Sequence, residues 1–155
     1  MDYHQLKHDL EGLYITVPTL FNDDRELSIN DEGIRSHVRF LRENGIGRDN
    51  AVLLAGGAAG DFSTMAFGER LRVASIVIEE AGDIPVALGA QTTSTLELKQ
   101  LSKQAHTLGA SFIQVSCPFY FDHTQDDFYE HILAASQASD IGIIIYNTYW
   151  TSAEL

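Results

Sequence analysis

The chain has 155 residues, 45% of them hydrophobic and 21% charged, with a mean hydropathy of −0.07; this composition suits one globular domain and makes disorder or membrane spanning poor readings. A formal charge of −12 with only ten scattered Lys and Arg argues against a nucleic-acid partner, since phosphate binding needs clustered cations. No run approaches the roughly eighteen apolar residues of a membrane span, residues 1–11 are too polar for a signal peptide, and the single cysteine, Cys117, cannot form an internal disulfide, so the expected address is the cytoplasm.

After the polar segment 1–11, short apolar, β-branched runs bounded by Gly, Pro or Asn recur at Leu13–Val17, Ala51–Ala55, Ile84–Leu88, Ser111–Ser116 and Ile141–Tyr146. Each is too short for a helix and reads as a strand. Helical spacing fills the gaps. Ile34, Val38 and Leu41 follow a Ser28 or Asn30 cap; Leu71, Ala74 and Val77 lead to Gly82; Leu98, Leu101, Ala105 and Leu108 lead to Gly109; Phe128, Ile132 and Ala135 follow Thr124. Strictly alternating strands and helices predict an α/β fold with a parallel sheet. A doubly wound fold would place a glycine fingerprint after the first strand, where Pro18-Thr19-Leu20-Phe21 stands instead, so the pattern favours a (β/α)₈ barrel. Such a barrel needs about 250 residues. Residues 12–155 are therefore expected to be the N-terminal part of one barrel domain, with about five strands and four helices, stopping before the sixth strand.

Barrel active sites are built from the loops after the strand C-termini. After the second strand comes Gly56-Gly57-Ala58-Ala59-Gly60-Asp61, which either lets backbone N–H groups approach a carboxylate or phosphate or simply permits a tight turn. The fourth and fifth strands end in Cys117-Pro118-Phe119-Tyr120 and Tyr146-Asn147, bringing two phenols to the same mouth. A phenol relays protons only with a lowered effective pKa or a hydrogen-bonded chain. Cys117 reads as a small buried hydrophobe, and Thr124 with Asp126 and Asp127 as a helix cap with acids in the first turn. Asp23-Asp24 and Glu79-Glu80 are expected on solvated surfaces. No histidine spacing suggests a metal site, and no metal or cofactor is expected.

These strand ends resemble the family of dihydrodipicolinate synthase and N-acetylneuraminate lyase, from about Gly12 to Asn147. Thr19-Leu20-Phe21 is similar to its Thr-Pro-Phe. Gly57-Ala58-Ala59-Gly60-Asp61 with Glu69-Arg70 is similar to its Gly-Thr-Thr-Gly-Glu loop and following Glu-Arg. Pro85 to Gly89 resembles its third strand, Pro118-Phe119-Tyr120 its Pro-Tyr-Tyr, and Tyr146-Asn147 its Tyr-Asn-x-Pro. The resemblance implies a lyase, aldolase or dehydratase, acting on a 2-keto acid of pyruvate or sugar-acid type through a lysine Schiff base. That lysine is expected beyond Leu155, since Lys7, Lys99 and Lys103 read as exposed, and the 155 residues alone are expected to be inactive. It further implies that the backbone of Gly57, Ala58, Ala59 and Gly60 binds the carboxylate and that Tyr146 shuttles protons. Tyr120 matches a tyrosine contributed across a subunit contact, implying a homo-oligomer, a dimer or tetramer.

Several positions depart from that pattern. Ala58 and Ala59 replace two threonine hydroxyls, and Thr151 stands where the synthases carry an arginine that grips a second carboxylate. Asn147, Tyr149 and Trp150 are candidates to line a pocket for a sugar acid or aromatic aldehyde. The alternative reading is a catalytically silent truncated barrel or carboxylate-binding module.

Overall fold

A computed structural model of the chain describes residues 3–120 and 122–147. Five strands, β1 (Leu13–Val17), β2 (Ala51–Ala55), β3 (Val86–Gly89), β4 (Phe112–Ser116) and β5 (Gly142–Tyr146), alternate with helices α2 (Asp31–Glu43), α3 (Phe67–Ala81), α4 (Thr95–Leu108) and α5 (Gln125–Ser136). All neighbouring strands pair in parallel in the order β1-β2-β3-β4-β5. A doubly wound sheet reverses direction at a switch point. This one never does, so each βα unit adds on the same side, as barrel winding requires.

The two faces of the sheet confirm that geometry. Val17, Leu53, Ala55, Val86, Leu88, Ile113 and Val115 share one buried cluster with Ile34 and Val38 of α2, Val73 and Val77 of α3, Leu98 and Leu101 of α4, and Ala135 of α5. Side chains alternate along a strand, and the opposite face carries Val52, Leu54, Ala87 and Phe112 with Ile144 packed against them. Four helices therefore cover one face only. The inner face is close-built, for a Cβ on Gly142 would lie 2.4 Å from the Phe112 ring.

Local signals set the element ends. Asn30, not Ser28, caps α2, its side chain accepting from the Gly33 N–H at 2.8 Å. Gly82 and Gly109 follow α3 and α4 at positive φ, a conformation that costs a residue without Cβ little. Thr124 caps α5, accepting from Asp127 N–H at 3.1 Å, while the Asp127 carboxylate accepts from Thr124 N–H at 2.8 Å. The third strand begins at Val86 rather than the expected Ile84, because Ile84 N–H is spent on a turn to Ala81 C=O and Pro85 has no N–H to give. Within the segment expected only to be polar, Tyr3–Asp9 forms a short helix, α1. Leu6 anchors it to the inner face, and buried Asp9 pairs with Arg48 at 2.8 Å. Glu79 is exposed on α3, as expected, and with half-buried Glu80 it clasps Arg35 of α2, at 2.7 and 3.0 Å.

Candidate functional site

Parallel strands in one order bring all five C-terminal ends to the same rim. After β2 the chain turns at Gly56, φ +65°, and makes two short 3₁₀ turns, Ala58–Gly60 and Phe62–Thr64, joined by Asp61 at φ 54°. A Cβ at Gly89 would stand 1.9 Å from the Gly56 carbonyl oxygen, so the ends of β2 and β3 approach as only glycine allows. The buried Thr19 hydroxyl, from the loop after β1, donates to the Gly60 carbonyl at 2.7 Å. That bond ties the glycine turn to its neighbour. Gly60, Asp61 and Phe62 N–H groups are used within the turn, whereas those of exposed Ala58 and Ala59 donate to no backbone carbonyl among the described residues.

A cavity of about 340 Å³ opens beside this turn, lined by Ala58, Phe62 and Ser63 from it, Gln91 after β3, Ser116 and Phe119 at the end of β4, and Tyr146 closing β5. Ala58 and Tyr146 also wall a smaller cavity of about 80 Å³ on the inner face, completed by Tyr14, Thr16, Leu54 and Gln114. Strand register explains the grouping, since Ser116 pairs with Tyr146 and Thr16 with Leu54. Phe62 meets Phe119 edge to face at 6.1 Å. Behind it the Arg70 guanidinium lies 5.6 Å from the Phe62 ring centre, donates to the Gly89 carbonyl at 2.6 Å and stands 3.5 Å from Glu97.

Electrostatics at the inner cavity favour a neutral phenol. Burial pushes the Tyr14 hydroxyl above its ordinary value, and the neighbouring Tyr146 phenol raises it further, because two phenolates cannot share a desolvated space cheaply. Tyr14 thus remains a proton donor. Burial lowers the Arg70 pKa, with Glu97 opposing the shift, yet a guanidinium stays charged.

The residues singled out from the sequence fall in different places. Tyr146 and Ala58 line one cavity; Gly57, Ala59 and Gly60 shape the turn beside it; Asn147 follows β5 and is exposed. Tyr120 is 86% exposed, holds φ 88° and lines neither of these two cavities. Tyr149, Trp150 and Thr151 lie outside the described residues. Lys7, Lys99 and Lys103 are exposed and none lines either cavity. Cys117 is buried, as its strand-end position suggested. Gln91, Gln114, Tyr14 and Phe62 were not anticipated; a polar glutamine inside the apolar run Phe112 to Ser116 was the one available signal.

The sequence matches the model of the Dihydrodipicolinate synthetase family over residues 9–155. It is 34% identical over 142 residues to 4-hydroxy-tetrahydrodipicolinate synthase of Chloroherpeton thalassium, covering 91% of this chain and 45% of that one. The synthase of Methanopyrus kandleri is 36% identical over 139 residues, covering 89% and 45%. Among solved structures, the chloride-inhibited dihydrodipicolinate synthase of Acinetobacter baumannii complexed with pyruvate superposes with TM-score 0.83 at 26% identity, over 92% of this chain and 47% of that one. The chain spans about half the length of the curated relatives it matches. Its fold is the first five strands of their (β/α)₈ barrel.

Proposed function

The chain belongs to the dihydrodipicolinate synthetase family, and on that premise we propose that it is the N-terminal part of a cytoplasmic lyase that cleaves, condenses or dehydrates a 2-keto acid through a lysine Schiff base. The observation that carries this reading is the convergence of Tyr146 and Ala58 on one cavity at the rim where the barrel strands end. Pyruvate in the Acinetobacter synthase supports the ligand class.

In this mechanism the carboxylate sits on the N–H groups of Ala58 and Ala59, held in place by Thr19 through Gly60. A lysine amine adds to the C2 ketone and water leaves, giving a protonated imine. In aldol cleavage the imine accepts the electron pair of the breaking C3–C4 bond; in dehydration it accepts the pair of a C3–H bond, and the resulting enamine expels the C4 hydroxyl as water, before hydrolysis restores the amine. Tyr146 moves protons to and from the departing oxygen, with the neutral Tyr14 phenol beside it as a hydrogen-bond donor. Since Lys7, Lys99 and Lys103 are off the cavity, the amine comes from a lysine on a sixth strand beyond Leu155. Tyr120, exposed and outside its own chain's cavity, is delivered to the site of a neighbouring subunit in a dimer or tetramer.

Borohydride reduction in the presence of pyruvate, followed by intact mass, tests the reading on residues 1–155 and on a polypeptide of the relatives' length. The expected result is a stable adduct on the longer polypeptide alone. An adduct on residues 1–155 would reassign the lysine, and pyruvate binding without any adduct would make the protein a silent carboxylate-binding module.

A further inference from the structure

We propose that Tyr14 and Thr16 of β1 are positioning residues for Tyr146, their hydroxyls holding its phenol oxygen through water in the inner cavity while its proton is on the substrate. The inference rests on the lyase reading above and goes further by naming what lets Tyr146 part with that proton. Side chains two apart on a strand share a face, and Tyr14 and Thr16 wall the cavity of about 80 Å³ on the inner face together with Ala58 and Tyr146. Ala58, the wall residue from the glycine turn, brings a methyl group and no proton.

An ordinary phenol near pKa 10 gives up its proton reluctantly at neutral pH. When Tyr146 protonates the departing oxygen of the carbinolamine, its O–H bond and the C–O bond break and water leaves, so a phenolate is left facing the protonated imine. Hydrogen bonds to that phenolate favour it, provided the donors keep their own protons. Tyr14 is such a donor, because burial of its hydroxyl end and a charge on neighbouring Tyr146 both oppose its ionisation. The Thr16 hydroxyl does not ionise in this range and donates likewise. Return of the proton to Tyr146 reverses the step, and neither hydroxyl of β1 is consumed.

Tyr146 acts on Tyr14 through its charge, without a hydrogen bond between the two phenols. Such a gap between polar groups is where a bridging water sits, and about 80 Å³ walled by three hydroxyl side chains has both the room and the partners for one. Thr16 is held from two sides. It pairs with Leu54 in the ladder between β1 and β2, and its Cγ2 packs against the turn, 3.3 Å from where a Cβ on Gly57 would lie. A β-branched side chain fixed by its methyl keeps one rotamer. Strands completing the barrel would enclose these hydroxyls further.

Rapid-quench borohydride trapping of the pyruvate imine, read by intact mass from about pH 6 to 10, tests this on the polypeptide of the relatives' length. Tyr14→Phe and Thr16→Val keep the shape and remove one hydroxyl each. Each is expected to slow imine formation about three- to tenfold and to move the alkaline limb of the pH–rate profile up by about one unit, as a tenfold weaker acid would. Calorimetric binding of pyruvate should stay within about twofold of wild type. Thr16→Ser, which restores the hydroxyl, should return rate and limb to the wild-type values. If Tyr14→Phe fails to fold, the comparison of Thr16→Val with Thr16→Ser decides. Unchanged rate and limb, slowing without a shift of the limb, or pyruvate affinity falling in step with the rate would overturn the inference and leave the lyase reading standing. Absence of any adduct in wild type would overturn both.

Discussion

Arg70 shows how one side chain can hold a rim together. It is 4% exposed, and a desolvated guanidinium persists only where partners replace water. Here they are the Gly89 carbonyl, Glu97 and the face of Phe62, which belong to β3, α4 and the glycine turn. Arg70→Met should lose about 2 to 3 kcal/mol of stability, because it removes a charge-assisted bond and leaves a carbonyl unpaired; a urea titration reads this as a lower midpoint at unchanged slope. Arg70→Lys should recover only part of the loss, since an ammonium cannot span the three partners in one plane. Thr19→Val keeps the shape and removes the bond to Gly60, for an expected loss of about 1 to 2 kcal/mol by the same titration. The importance of these residues was unevenly legible in the sequence. Glu69-Arg70 stood out as a motif, and Tyr146 as a strand-end phenol. Gln91 did not, and Gln114 showed only as a polar break in an apolar strand, because a buried amide gains meaning only when the inner face of the sheet is known.

At the scale of elements, α2 and α3 are joined by ion pairs from Arg35 to Glu79 and Glu80, whereas the seam between α4 and α5 holds hydroxyl and imidazole contacts. Thr95 Oγ1 and His131 Nδ1 lie 2.9 Å apart, Ser102 and Ser139 share a bond of 2.7 Å, and Nε2 of His131 is buried without a partner among the described residues. Burial pushes the His131 pKa below its ordinary 6.5, and nearby His123 pushes it further, with the Thr92 backbone opposing. The folded protein then binds fewer protons than the unfolded chain as pH falls through 6.5. His131 therefore contributes stability that is full above that pH and is lost on acidification, with a slope of at most about 1.4 kcal/mol per pH unit. Asp127 adds a loss of the same sign at lower pH, because its carboxyl is held below the usual range by Thr124. Denaturation from pH 7.5 to 5 should show the wild-type slope and a flatter one in His131→Gln. An unchanged slope would show that His131 is not the group responsible. Helix ends were the most legible features at this scale, for Asn30, Thr124, Gly82 and Gly109 each announce a boundary through their own chemistry. The helix Tyr3–Asp9 announced nothing, since seven residues with one apolar anchor, Leu6, show no period.

Across the whole molecule, burial is graded from the middle of the sheet outwards. β2 and β4 are buried at all five positions and β3 at all four. In β1, Leu13 is 57% exposed and Tyr14 42%, and in β5 Ile145 is 55% exposed. Each of these outer strands is paired along one side only. Alternation of apolar strands and helices made the sequential winding readable, but not which strands would be outermost, because all five runs are comparably apolar. Amide protons held in β2–β3 and β3–β4 bonds can exchange only when the central sheet opens, whereas those of β1 and β5 need only an outer strand to lift. Hydrogen exchange on residues 1–155 should therefore be faster in β1 and β5 by about tenfold or more. In a polypeptide of the relatives' length, further strands against both edges should remove the difference by closing the barrel. Equal protection of all five strands in residues 1–155 would instead mean that the exposed edges already pair between copies, the ordinary fate of an uncovered apolar strand.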